Sequence, residues 1–184
     1  MVAAFFAGRD RAVDPAASGA APAVVLAVRD LARLDATSFH IEKVIEVSDA
    51  QSRLWGLVEA KDAILLVAVG DVVAGVDLAK LHDGDVSVDA ATHAVHLRLP
   101  AADIASSTLD ERATHVYSRT TDVLASRSEQ LEGQARARAE DQMRKAAIEA
   151  GILERAQASA ERTLRALLRS LGYDHVEVDW AERG

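Results

Sequence analysis

The feature that most constrains the fold is a change of hydrophobic period near Thr120. From there onward, apolar residues recur every three, four or seven positions, which is the spacing of one face of an α-helix. Gly151 interrupts this pattern, and Gly172 stands where a helix C-terminus commonly places a glycine. The spacing therefore predicts two long helices, over about 120–149 and 152–171, that meet near Gly151.

One stripe of the first predicted helix is built mostly from small side chains. Its residues are Leu131, Ala135, Ala139, Met143 and Ala147. Small side chains allow close approach between helices, so the stripe is a candidate interaction seam for a second copy of the chain. The alternative is that the 152–171 helix folds back and covers it. The sequence leaves both open.

Before Thr120 the pattern favours strands. Residues 38–47 alternate, 54–59 are a weaker strand candidate, and 63–78 with the turn signal Gly70-Asp71 are expected to form a β-hairpin. Short strands are predicted at 86–88 and 94–99 and a closing strand at 174–180, whereas 101–118 is predicted to be irregular. With a short helix from Pro22 to about Asp35, the order of elements predicts an α+β fold with a strand-rich front half packed against the two helices.

The N-terminal 22 residues are predicted to lie outside the domain, which is expected to be single and to span 23–184. Met1–Gly8 is an apolar octet and 9–22 resembles a linker. Eight residues cannot cross a bilayer, which needs about 20. The octet is interpreted either as an apolar tail or as the end of a transmembrane helix that begins upstream. Arg9 and Arg11 weakly favour a cytoplasmic domain, against the extracytoplasmic placement otherwise expected.

Composition excludes several classes of function. The chain carries 29 acidic and 21 basic residues, a net charge of -8, which argues against nucleic-acid binding because that binding depends on neutralising phosphates. It has no cysteine, and this excludes disulfides, thiol catalysis and cysteine-ligated metals. Aromatic residues make up only 4%, which is mild evidence against a large ligand cavity.

No catalytic, cofactor-binding or metal-binding residue is assigned, and no cofactor is expected. His93 and His96 stand three apart in a strand pattern, which points them to opposite faces and makes a shared metal geometrically poor. One alternative is a hydrolase or ion-dependent enzyme with a site near His82, Asp83, Asp85, His93 and His96. That hypothesis requires these side chains to converge in one pocket. Another is a lipid-binding module, which requires an apolar groove beside the helices.

Four segments carry a resemblance to a known family. They are Gly70–Leu78 (GDVVAGVDL), Val95–Ala101 (VHLRLPA), Ala146–Ala156 (AAIEAGILERA) and Leu167–Tyr173 (LLRSLGY). In this order and spacing they resemble the bacterial domain-of-unknown-function family 4230. The resemblance implies a short protein with one N-terminal transmembrane helix followed by this domain. The resulting expectation is a non-enzymatic domain of a membrane-anchored envelope protein that acts through an unidentified protein partner or as a homo-oligomer.

Overall fold

The computed structural model describes residues 24, 26–28, 31–53, 58–89 and 91–182. The octet, the linker and the boundary predicted at residue 22 lie outside these residues. The described chain divides into two compact units that alternate along the sequence. The long-sheet unit contains Arg33–Asp77 and Ala101–Thr163, and the short-sheet unit contains the described parts of Met1–Ala32, Leu78–Pro100 and Leu164–Gly184. The region predicted as one domain therefore contains two centres of packing.

The long-sheet unit is built around two long antiparallel strands, β1 (Arg33–Arg53) and β2 (Val58–Asp77). They pair from Arg33 opposite Asp77 to Arg53 opposite Val58, with one irregularity between Asp35 and Thr37. Two shorter strands, β5 (Asp103–Leu109) and β6 (His115–Thr121), pair antiparallel with β2 in separate segments. The helix predicted to run to Asp35 is shorter than expected. Residues 24 and 26–28 are helical, but β1 already begins at Arg33.

The predicted β-hairpin over 63–78 is wrong, because β2 runs straight through Gly70-Asp71. Gly70 is required by a close approach between strands and not by a turn. A Cβ atom there would collide with the Thr108 carbonyl oxygen of β5 and would lie 2.8 Å from Met143 Cε. A glycine in a strand pattern marks close backbone contact as often as it marks a turn, and the sequence alone does not separate the two.

The prediction that 101–118 is irregular is also wrong. β5 and β6 run in the same direction along β2, and only residues 110–114 leave the ladder between them. Buried Thr114 fills the gap, since its hydroxyl accepts the Val69 N–H at 3.1 Å and donates to the Val69 carbonyl at 3.0 Å. The sequence pattern does not indicate β5 and β6, because these strands are rich in polar Ser and Thr residues and the neighbouring β2 supplies the apolar surface.

The two predicted helices are confirmed, with a later start for the first. α1 spans Leu131–Glu149 and α2 spans Ile152–Ser170. Gly151 and Gly172 both adopt positive φ, 80° and 93°, which suits a residue without Cβ at a helix end. Residues 122–130, predicted as the first turns of α1, instead form the connection from β6.

The core of the long-sheet unit lies between α1 and the inner face of β1 and β2. Inner-face strand residues pack with the stripe of α1 in one buried cluster, formed by Ile45, Val47, Ile64, Leu66, Ala68, Leu131, Ala135 and Ala139. The small residues of α1 thus let the helix approach the sheet of its own chain closely.

The short-sheet unit contains three strands, β3 (Val86–Asp89), β4 (Ala94–Leu99) and β7 (His175–Trp180). β3 pairs antiparallel with β4, and β7 pairs parallel with β4 from His175 opposite Ala94. Its buried residues include Leu78, Leu81, Val95, Leu97, Leu99, Leu164 and Leu168. Two sheets, two long helices and a closing strand confirm the α+β class. No helix among the described residues is long and apolar enough to cross a membrane.

Candidate functional site

The outer face of the short sheet is polar and carries a shallow recess. Because Val86, Val95 and Leu97 are buried, the alternate residues of the strands face outward. The register places Ser87, His96 and Glu177 in one row across β3, β4 and β7. The recess has a volume of about 170 Å³ and is lined by Ser87, Asp89, Ala94, Val95, His96, His175 and Glu177.

One histidine of this recess is held by a carboxylate. His96 Nε2 lies 2.9 Å from Asp179 Oδ2 on the neighbouring strand, and both side chains are largely exposed. Ser87 stands opposite His96, so the three residue types of acyl-transfer enzymes share a face. Nucleophilic catalysis also needs a hydrogen bond from the hydroxyl to the ring. No such bond links Ser87 to His96 in the described residues, and the row is not organised as a triad.

The other histidines proposed from the sequence do not join His96. His82 interacts with Asp85 in its own turn, where Asp85 Oδ2 accepts the His82 N–H at 2.8 Å. His93 Nδ1 lies 3.0 Å from the Gly172 carbonyl oxygen. The alternative enzyme hypothesis requires His82, His93 and His96 to converge, and in the described residues each of the three has a different partner. The side chain of Asp83 lies outside the described residues. Within the described ranges, no three His, Asp or Glu residues are grouped so that they could hold a metal ion.

The candidate seam of α1 lies inside the long-sheet unit. Leu131, Ala135, Ala139, Met143 and Ala147 are all fully buried. Leu131, Ala135 and Ala139 pack on β1 and β2 of the same chain. For these three residues, the sheet takes the place that the sequence offered to a second copy or to the 152–171 helix. A partner could reach these five residues only after α1 had left the sheet.

A buried ion pair stands at the end of the same inner face. Asp62 of β2 is fully buried, and its carboxylate accepts hydrogen bonds from Arg119 Nε at 3.2 Å and from Arg119 Nη2. It also accepts the Thr121 hydroxyl at 2.7 Å and the Ser128 N–H at 2.8 Å. Arg119 Nη2 donates to the Ser128 carbonyl at 2.7 Å as well. The ion pair therefore fixes both main-chain groups of Ser128, three residues before α1 begins.

A second side chain holds the same connection in the same way. The Gln51 amide accepts the Ser126 N–H at 2.8 Å and donates to the Ser126 carbonyl at 2.7 Å. The Asp122 carboxylate accepts the Lys61 N–H at 2.7 Å, and the Asp122 N–H donates to the Lys61 carbonyl at 2.9 Å. Side chains thus form the hydrogen bonds to the main chains of Ser126 and Ser128 that a neighbouring strand would form. The helix α1 begins after this connection, at Leu131.

The electrostatics of the pair follow from these contacts. The Arg119 guanidinium, together with the Ser128 N–H and the Thr121 hydroxyl, holds the pKa of Asp62 well below its usual range, although burial opposes the shift. Asp62 in turn raises the pKa of Arg119. Both groups stay charged at neutral pH, and their hydrogen bonds to Thr121 and Ser128 give them a structural role.

Comparison with known proteins supplies the family. A family model described as "Protein of unknown function (DUF4230)" matches residues 27–178. The chain belongs to the DUF4230 family. No curated protein and no solved structure matches it.

The sequence analysis did not predict one surface of the DUF4230 domain, the edge of its long sheet that β1 forms. In the part of the chain that the structure describes, β2 is the only strand that pairs with β1. Over residues 33–50, the main-chain groups on the other edge of this 21-residue strand have no ladder partner among the described residues. The alternation over 38–47 predicted a strand there, but strand order is set by contacts far along the chain and is not visible in the local pattern.

Proposed function

We propose that this DUF4230 domain is a non-enzymatic protein-contact domain of a bacterial envelope protein, anchored to the membrane through its N-terminal segment. Its contact surface is the free edge of β1, to which a partner adds a strand. The observation that carries the proposal is the length of β1, 21 residues, for which β2 is the only ladder partner within the described ranges. Strands in globular proteins are most often about five or six residues long, and a long exposed edge strand is a ready template for strand addition.

The recesses of the domain support a contact function over an enzymatic one. Three of them measure about 170, 260 and 140 Å³, below the roughly 300–1,000 Å³ of small-molecule sites. The largest of these three is lined by Ser107, Ala137, Glu140, Asp141 and Arg144, a polar surface that does not suit a lipid chain. The histidines named for a hydrolase have separate partners.

A site-specific crosslinking experiment in cells tests the contact surface. A photoreactive amino acid replaces Val44, which is 60% exposed on β1, and in a matched control it replaces Ile148, which is 42% exposed on α1. We expect light-dependent adducts from position 44 only, with the crosslinked peptide located by mass spectrometry in a strand of the partner. Adducts of equal yield from both positions, or none from position 44, would overturn the proposal.

Fractionation of cells tests the membrane anchor. We expect the full-length protein in the membrane pellet, retained through an alkaline carbonate wash and released by detergent. Recovery of the protein in the carbonate supernatant would show that it is not anchored in the membrane and would overturn this part of the proposal. This result would leave the contact surface to be judged by the crosslinking alone.

A further inference from the structure

We infer that the partner at this edge is a second copy of the chain, whose β1 pairs antiparallel with the first about a two-fold axis at Lys43. The inference rests on the proposed contact function and adds the identity and register of the partner. It is argued from the burial pattern of β1 and from the order of its side chains.

The burial pattern limits where the axis can lie. In β1 the odd-numbered residues face the core, as buried Ile45 and Val47 show, and the even-numbered residues such as His40 and Val44 are exposed. Opposite residues in an antiparallel pair share a face of the sheet. In a symmetric pair of β1 strands, odd-numbered residues must therefore lie opposite odd-numbered residues, and even-numbered opposite even-numbered. One residue then lies opposite its own copy, and the two-fold axis passes between the two.

An axis at Lys43 matches the apolar residues with one another. Phe39 then lies opposite Val47 of the second copy, and Ile41 lies opposite Ile45. On the outer face, His40 lies opposite Glu46. Pairs of aromatic or β-branched residues and pairs of opposite charge are the ones that stabilise antiparallel neighbours.

The neighbouring axes give poorer pairs. An axis at Ile41 places Phe39 opposite Lys43, and an axis at Ile45 places Ile41 opposite Asp49. An axis at Glu42 places the two Glu42 carboxylates opposite each other, and an axis at Val44 places Glu42 opposite Glu46 of the second copy. Of these five axes, only the one at Lys43 places every core-facing apolar residue from Phe39 to Val47 opposite an apolar residue of the second copy.

On the outer face, acidic side chains alternate with a histidine and a lysine. Within one copy, His40 Nδ1 lies 3.0 Å from Asp71 Oδ1, and Lys61 Nζ lies 3.7 Å from Glu46 Oε1. The axis brings Glu46 of the second copy beside His40, so that Asp71, His40, Glu46 and Lys61 form a mixed row over both sheets. Each exposed pair is weak, but the symmetry provides the row twice.

Lys43 itself opposes the association. Its two copies meet on the axis, and like charges placed directly opposite each other destabilise a strand pair. A charged side chain directed toward the core side is also a common way to limit open-ended strand addition. We therefore expect a weak dimer that tightens when this charge is removed.

Sedimentation velocity of the 184-residue chain over a range of concentrations tests the association. We expect a monomer–dimer equilibrium, a roughly three- to tenfold lower Kd for Lys43→Thr, and a higher Kd for Glu46→Lys. Glu42→Lys is the matched control, because it makes the same charge change on the same face opposite Val44, and it should shift the Kd less. A wild-type chain and a Lys43→Thr variant that both stay monomeric at high concentration would overturn the inference.

Engineered cysteines test the register, since the chain has none of its own. Opposite Cα atoms in an antiparallel pair lie about 4.5–5.5 Å apart, within the range that a disulfide bridges. Lys43→Cys should therefore oxidise to a covalent dimer. Ser48→Cys should crosslink only when mixed with Ser38→Cys, its opposite position.

The outcomes separate the inference from the proposed function. Self-crosslinking of Ser48→Cys as fast as that of Lys43→Cys would refute the register. Adducts from position 44 with a different protein would refute the second copy as partner and would leave the contact function in place. Absence of any adduct would refute both.

Discussion

A single charged residue on the inner face of β2 organises the start of α1. Asp62 continues the row of Ile64, Leu66 and Ala68 on the inner face, where a carboxylate is costly unless it is paired and hydrogen-bonded. Arg119, Thr121 and Ser128 supply the pairing. A charge at a core-facing position of an alternating strand is the signal by which the sequence could have marked this residue.

Replacement of Asp62 should destabilise the domain more than loss of any exposed ion pair. Asp62→Ala leaves the guanidinium of Arg119 and the Ser128 N–H without their acceptor, so we expect the Tm to fall by roughly 5–10 °C. Asp141→Ala is the control, because it removes an exposed pair with Lys145 and should change the Tm by about 1 °C or less. Differential scanning calorimetry measures both. Equal effects would show that the buried pair has no special role.

The same residue predicts the direction of acid sensitivity. The folded state holds the pKa of Asp62 below that of the unfolded chain, so the ionised carboxylate stabilises the fold fully above the unfolded pKa, which is about 4. This contribution is lost as the pH falls from about 5 toward the folded pKa. Urea unfolding of the wild type and of Asp62→Asn at pH 7 and pH 3 should show a smaller pH dependence in the variant. An unchanged dependence would contradict the assignment.

At the scale of elements, β2 pairs with β1 on one edge and with β5 and β6 on the other. At Gly70 the backbone of β5 lies too close to β2 to leave room for a side chain. Gly70→Ala forces a Cβ atom against the Thr108 carbonyl, which belongs to the backbone and cannot rotate away. We expect a loss of about 1–3 kcal/mol in the free energy of unfolding. Gly133→Ala in α1 is the matched control, since no atom lies within 4 Å of its added Cβ. It should be neutral or stabilise by up to about 1 kcal/mol, as chemical denaturation would show.

The loop between β5 and β6 depends on one hydroxyl. Thr114→Val keeps the shape of the side chain but leaves the Val69 N–H without its acceptor, and we expect a cost of about 1–3 kcal/mol. Thr114→Ser restores the hydroxyl and should recover most of the loss. Hydrogen exchange at the Val69 amide, followed by NMR, distinguishes a local opening from global unfolding. Equal exchange in the two variants would contradict this role.

The elements differ in how far the sequence could predict them. Gly151 and Gly172 end their helices because local chemistry decides a helix terminus, and β3, β4 and β7 follow from local alternation. Gly70 and the Ser- and Thr-rich strands β5 and β6 were misread, because their conformation depends on partners far along the chain. The stripe of α1 shows the same limit, because its pattern indicates a buried face but not which surface covers it.

At the scale of the whole molecule, the two units alternate along the sequence, so one cut of the chain cannot separate them. The chain passes between them after Ala32, Asp77, Pro100 and Thr163. A fragment of residues 101–184 would lack the sheet under α1 and the strand that β7 pairs with. We expect it to be largely unfolded by circular dichroism when made alone, and to regain structure when produced together with residues 1–100. A fragment that folds alone would contradict this dependence.

The parallel pairing of β7 with β4 also determines the order in which the protein can be completed during synthesis. His175 pairs with Ala94, so the short sheet lacks its third strand until nearly the whole described chain has been translated. Contacts of such long sequence separation form slowly, and they leave an open strand edge on the growing chain in the meantime. This edge of β4 therefore stays open until late in translation, and a ribosome that stalls before His175 would leave it for a chaperone to protect.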